Sequence, residues 1–255
     1  MNDRRKFLAR AGAGVAALTL AGCTRLSQTP WVVSILDEVE GLTRRAQRLF
    51  AGSHALAPEF SRKDIAPVFR ANGTLNPDTS DYNAHAANGF RDWRITVGGL
   101  VEHPLSLSMA ALRAMPSRTQ ITRHDCVEGW SCIGEWKGTP LALVLAAAWP
   151  RPDARFVVFY CADNMAQPGW PEQYYYESLD LLEATHPQTL LAYELNGRPL
   201  PIQHGAPVRL RAERQLGYKM AKYIQRIELV SEFGRIAGGK GGYWEDQGYT
   251  WYAGI

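Results

Sequence analysis

The sequence contains no C-x-x-C pair, no C-x-x-C-H and no G-x-G-x-x-G. The first absence argues against a zinc ribbon, the second excludes a covalently attached c-type haem, and the third disfavours a nicotinamide-binding doubly wound sheet. The G-G-K-G-G run at 238–242 has no strand before it and no G-K-S/T, so it is not a phosphate-cradling P-loop. It reads as a flexible approach to the aromatic stretch Y-W-E-D-Q-G-Y-T-W-Y, which is expected to pack near the mouth of a pocket. Net charge is scarce too. At +3, and with no basic run interleaved with aromatics, the chain gives no reason to invoke a nucleic-acid partner. No repeat or low-complexity tract interrupts it. A content of 46% apolar and 21% charged residues sets aside the disordered and fibrous classes, and 255 residues suffice for one large domain or two small ones.

Aromatic residues, by contrast, are plentiful: eight Trp and eleven Tyr. They fit aromatic-lined surfaces or a cofactor pocket as well as ordinary core packing. The N-terminus opens M-N-D-R-R-K-F-L, a basic start before an apolar stretch too short to span a membrane as a mature helix. Arg4-Arg5 followed by Lys6-Phe7-Leu8 resembles a twin-arginine export signal. Leu20-Ala21-Gly22-Cys23 resembles a lipoprotein cleavage box with Cys23 as the lipidated residue, the alternative being plain signal-peptidase cleavage nearby. Both imply a periplasmic location. The twin-arginine route carries folded proteins, typically those that receive a cofactor before export. Beyond Cys23 stand Cys126, Cys132 and Cys161, three thiols that cannot all pair within one chain.

Three regions follow: a signal over 1–23, a linker and helix over 24–65, and a domain over 66–255. Ile35, Leu36, Val39, Leu42, Ala46, Leu49 and Phe50 recur at helical spacing and predict a helix over 31–50 packed on the domain. Residues 66–92, rich in Asn, Asp, Gly and Pro, read as loop. Trp93, Ile95 and Val97 predict a strand. Ser108 is placed as the N-cap of a short helix ending before Pro116. Residues 119–123 form a strand running into Cys126. Thr139-Pro140 opens a helix stopped by Pro150. Residues 155–161 form a buried strand ending at Cys161, and Asn196-Gly197 marks a hairpin. P-V-R-L-R and I-Q-R-I-E-L-V are further strands. The fold class is α+β, mixed and strand-rich with scattered helices.

Four segments in order carry a resemblance. They are F-R-A-N-G-T (69–74), H-D-C-V-E-G-W-S beginning at His124, H-G-A-P-V-R-L (204–210) and G-Y-K-M-A-K-Y (217–223). Together they resemble the molybdopterin-binding domain of the sulfite oxidase family, in its periplasmic protein-methionine-sulfoxide reductase branch, from about Phe69 to Val230. The resemblance implies a molybdenum–molybdopterin cofactor whose metal is held by the pterin dithiolene and by Cys126. A single thiolate suits that soft set of ligands, while most free cysteines serve as small buried hydrophobes. Asn72 is implied beside the pterin. Cys161 stands where the reductase branch has a Thr near the cofactor. His204, Arg209 and Lys222, with Met220 and Ala221, are implied at the pterin phosphate, where fixed cations and N–H groups suit a dianion. Cys132 has no implied role and is assigned to the core.

The direction of reaction follows from charge. Sulfite-oxidising relatives surround the metal with arginines, whereas Cys126 is followed here by Val127-Glu128-Gly129-Trp130. A carboxylate at Glu128 repels sulfite, and an aromatic at Trp130 favours a neutral substrate. The expected activity is reduction of S-oxides, or N-oxides, by oxygen-atom transfer, with Glu128 steering protons or tuning the metal. Sulfite dehydrogenation in the same fold, and a non-catalytic periplasmic lipoprotein with a Cys126–Cys132 disulfide, are the competing readings. The sequence carries no haem or flavin site of its own. The resemblance therefore implies a membrane haem or quinol-linked electron donor, and the absence of room for a dimerisation domain implies a monomer.

Overall fold

A computed structural model describes residues 29–52, 55–167 and 169–255. The twin-arginine stretch and Cys23 lie outside the described residues. The chain divides into two compact units, 1–52 and 53–255.

In the first unit, α1 (Pro30–Ala51) starts with Pro at its first turn, where a missing N–H costs nothing, and stops at Gly52 with φ 79°. The helix is the one expected. Among its described side chains, Val39, Leu42 and Leu49 are 50%, 62% and 78% exposed.

The second unit follows in chain order. α2 (Ser80–Ala87) precedes β1 (Arg94–Gly99) and β2 (Leu105–Ser108). α3 (Met109–Ala114) leads to β3 (Arg118–Cys126) and β4 (Trp130–Pro140). α4 (Leu141–Ala148) leads to β5 (Phe156–Asn164) and β6 (Tyr174–Asp180). Then come α5 (Leu181–Ala184), β7 (Leu190–Leu195), β8 (Arg198–Pro199), β9 (Arg209–Arg211), β10 (Ile224–Val230) and α6 (Tyr243–Asp246). One sheet runs β2-β1-β10-β5-β6, with β1 and β10 parallel. The other runs β3-β4-β7-β8, with β9 also on β7. The mixed α+β class is as expected.

Local chemistry explains most boundaries. Ser108 Oγ accepts from Ala111 N at 3.1 Å and caps α3, as the sequence predicts. Asn196 and Gly197 take φ 52° and 72° and turn β7 into β8. Two expectations need correction. The 66–92 segment is not all loop. Thr79 caps α2 by accepting from Tyr82 N, and Tyr82 is buried against Trp93 and Tyr223, so tertiary packing overrides the polar composition. The strand through Cys161 continues to Asn164, paired with Tyr174. β4 and β6 have no counterpart in the sequence reading. In β4 the strand pattern is hidden by glycine, and Gly138 is there for close approach: a Cβ on it would sit 2.4 Å from Leu191 O. The principal core lies around β5 and β10, with Val157, Phe159, Ile227 and Leu229 fully buried. A smaller cluster joins Phe69, Cys132, Trp136, Ala192, Leu195 and Leu200.

Candidate active site

β3 delivers Cys126 to the start of a tight turn. Gly129 takes φ 85° there and its N–H donates to Cys126 O at 3.0 Å, so the chain reverses into β4 within three residues. The Cys126 thiol is 7% exposed and free, and Asn72 Nδ2 donates to its sulfur at 3.4 Å. Burial pushes the thiol's pKa up, opposed by the Glu128 backbone and the Asn72 amide. Cys132, across the β3–β4 pair, is also free, and its Sγ points to Val68 O at 3.6 Å.

Behind the thiol lies a row of buried polar groups. Gln120, Thr122, His124 and Cys126 share one face of β3. Arg211 pairs with Glu213 at 2.6 Å and donates to His124 Nδ1 at 3.0 Å, while Gln120 Nε2 donates to Glu213 Oε1 at 2.8 Å. Burial and the Arg211 charge hold His124 neutral, well below the usual imidazole range. Gly217 packs against this ring so closely that a Cβ would lie 2.5 Å from it.

Cys126 opens onto a cleft whose wall also includes Asn72, Glu128, Arg209, Met220 and Lys222. The structure thus brings together six of the residues singled out from sequence. Trp130, Cys161, His204 and Ala221 do not line it. Trp130 donates from Nε1 to Glu128 Oε2 at 2.9 Å and stands over His124, so it steadies the carboxylate from behind. Cys161 is packed in the principal core. His204 offers its carbonyl to Arg209 at 3.0 Å, and Ala221 O accepts from Leu210 N.

The cleft also holds residues to which the sequence reading gave no site role, Thr74, Asp163, Tyr175 and Tyr218 among them, and two of the aromatic stretch, Trp244 and Tyr249. Asp163 had a signal, since an acid closing the apolar run R-F-V-V-F-Y-C-A-D is out of place in a core strand. Burial pushes its carboxyl up to about 6, and its Oδ1 has no partner among the described residues. Trp244 and Tyr249, with ring centroids 5.3 Å apart, confirm that the aromatic stretch reaches the cleft. That stretch is fastened, not loose. Lys219 donates to Glu177 and, at 2.5 Å, to Glu245, all three buried. Asp246 accepts from Tyr176 Oη at 2.5 Å and from the backbone of Gly238 and Lys240. The G-G-K-G-G run is therefore held by Asp246 and is not the flexible approach expected.

The electrostatics of the cleft favour an anion. Arg209 is buried and donates to three carbonyls, His204 O, Met220 O and Leu210 O at 3.0, 3.2 and 3.5 Å. Lys222 Nζ donates to Asn72 O at 2.9 Å, Gln203 O at 3.3 Å and Thr74 O. Among the described residues neither cation is bonded to a carboxylate. Burial first, and then a neighbouring arginine, pushes Arg209 down to about 9 and Lys222 down to about 7. Asp163 offsets Lys222 in part, and a further negative group beside the two cations would relieve their mutual repulsion. A buried thiol and two cations bonded to no carboxylate among the described residues share this cleft, a set compatible with a soft metal dithiolene carrying a phosphate.

A family model described as "oxidoreductase molybdopterin binding domain" matches residues 83–234. The chain belongs to that family. Over 98% of its length it is 35% identical to a provisionally named protein-methionine-sulfoxide reductase subunit, YedZ1, of Azospira oryzae, covering 87% of that protein. It is 33% identical to the protein-methionine-sulfoxide reductase catalytic subunit MsrP of Xanthomonas axonopodis pv. citri, over 92% of this chain and 72% of that one. Among solved structures, the sulfane dehydrogenase SoxCD of Paracoccus pantotrophus superposes with a TM-score of 0.48 at 22% identity, covering 56% of this chain and 39% of that one. As a member of the molybdopterin-binding oxidoreductase family the chain is an enzyme, and its cleft fits the cofactor the family is named for.

Proposed function

We propose that this protein reduces S-oxides by oxygen-atom transfer, with Cys126 as the protein's ligand to the molybdenum of a pterin cofactor. The observation that carries the reading is the setting of Cys126. A free thiol and the Glu128 carboxylate share a cleft with the aromatic side chains of Tyr218, Trp244 and Tyr249. A carboxylate held in place by Trp130 disfavours a sulfite dianion, and the aromatic wall suits a neutral sulfoxide. The naming of MsrP relatives as methionine-sulfoxide reductases supports the same direction.

When bound, the cofactor supplies the two-electron, oxygen-accepting chemistry. The chain supplies the rest. Arg209 and Lys222 would hold the phosphate, Asn72 would orient the Cys126 sulfur to which it donates, and Glu128, on the wall of the same cleft, would serve as the proton carrier. Electrons come from a separate donor, a membrane haem or quinol-linked protein. The twin-arginine and lipobox resemblances at 1–23 support a periplasmic location, with Cys23 as a lipid anchor. Metal and pterin analysis of the purified protein, followed by a sulfoxide panel with an artificial donor and sulfite with an artificial acceptor, tests the reading. Molybdenum with sulfoxide turnover is the expected result. Efficient sulfite oxidation overturns the direction, and absence of molybdenum overturns the whole.

A further inference from the structure

A second concavity of about 560 Å³, within the range of ligand sites, adjoins the cleft and shares Met165 with it. Its wall includes Gln167, Trp170, Gln173, Tyr243 and Gln247. Tyr243 continues into Trp244 of the cleft wall, with ring centroids 5.3 Å apart. The loop bearing the first three is braced at its base. Asn164 Oδ1 accepts from Ala166 N and Gln173 N, each at 3.0 Å, and Met165 N donates to Gln173 O at 2.8 Å. The side chains themselves are uncommitted. Among the described residues, the amides of Gln167, Gln173 and Gln247 and the indole N–H of Trp170 have no hydrogen-bond partner, and Trp170 is 72% exposed.

From this arrangement we infer that the groove is a subsite for polypeptide main chain, seating the residues that flank an oxidised methionine while its side chain enters the cleft. The inference rests on the S-oxide reading and adds how a protein-embedded substrate is held. A primary amide both donates and accepts, as a peptide group does, so three of them along one groove match an extended backbone whatever its side chains. Trp170 and Tyr243 give that backbone flat apolar surfaces. Glu172, which accepts from Tyr174 Oη at 3.2 Å, is the one charged residue of the lining, so recognition there is mainly by neutral groups.

The test compares two substrates on the holoenzyme with an artificial donor: an uncharged peptide with a central methionine sulfoxide, and dimethyl sulfoxide. Neither Trp170 nor Gln247 lines the cleft, so a W170A/Q247A variant leaves the chemistry in place. For the peptide, kcat/KM is expected to fall about tenfold or more through KM, with dimethyl sulfoxide kinetics unchanged. Equal loss on both substrates, or no loss on either, overturns the subsite. Peptide binding followed by tryptophan fluorescence reads the groove without turnover. If wild type turns over neither sulfoxide, the S-oxide reading falls, and the subsite stands or falls on whether the double substitution abolishes peptide binding.

Discussion

Asn72 and Cys126 come from segments 54 positions apart, yet the Asn72 amide donates to the Cys126 sulfur at 3.4 Å. The carbonyl of the same Asn72 accepts from Lys222 at 2.9 Å. One residue therefore links the thiol to a cation of the anion-favouring end, and a change at either end is felt at the other.

Cys126→Ser should abolish bound molybdenum and turnover while the far-UV circular dichroism stays that of the wild type, because a hydroxyl is a poor replacement for a soft thiolate. Cys132→Ser should keep both, since Cys132 packs in the smaller cluster away from the cleft. Metal content by mass spectrometry decides; the opposite pattern would show that the other cysteine is the ligand.

Arg209→Ala should purify with little pterin. The loss of a charge-assisted contact to a desolvated phosphate costs about 2 kcal/mol or more, roughly thirtyfold in affinity. Normal pterin fluorescence after acid release would remove Arg209 from the phosphate site.

Glu128→Gln removes charge and keeps shape. If the carboxylate acts by repelling anions, sulfite should become a better substrate and sulfoxide turnover should survive. If it passes protons, sulfoxide kcat should fall. Parallel assays on the two substrates separate these roles.

The cofactor-free protein should gain stability as pH rises above 7. Lys222 is pushed down to about 7 in the fold from an unfolded value of 10.5. Between those values the unfolded chain binds more protons, so unfolding free energy rises with pH, by up to about 1.4 kcal/mol per unit. Below about 7 both states are protonated and this dependence vanishes. Denaturant midpoints from pH 7 to 9 should show the rise in wild type and a flatter profile in Lys222→Met.

Gly217→Ala should destabilise the protein by about 1–3 kcal/mol, because a methyl there overlaps the His124 ring and that ring is fixed by Arg211. A thermal melt equal to wild type would mean the β3 face yields more readily than its packing indicates.

Much of this was legible in the sequence because the signals were local. Ser108 caps where a hydroxyl precedes a helix, Asn196-Gly197 turns where positive φ is needed, and Cys126 with Arg209 stood in recognisable strings. The losses were non-local. α2 forms because Tyr82 finds Trp93 and Tyr223. β4 is concealed by glycines whose reasons are distant in sequence: Gly138 lies against the backbone of β7 and Gly134 against the Phe69 ring. Cys161 packs in the core beside Asp163 and Lys222 of the cleft, a burial that its place in the chain did not show. Trp170 and the three glutamines gave no pattern at all, since nothing but the folded loop gathers them.

The cleft wall draws on residues from Asn72 to Tyr249, and its far side is pinned by a single lysine between two acids. No shorter nascent segment can form it. Until Tyr249 has been synthesised and Glu245 has found Lys219, there is no enclosed place for a pterin to stay. Cofactor binding at this cleft is thereby ordered in time: it follows translation of that stretch and the closing of the Lys219–Glu245 contact.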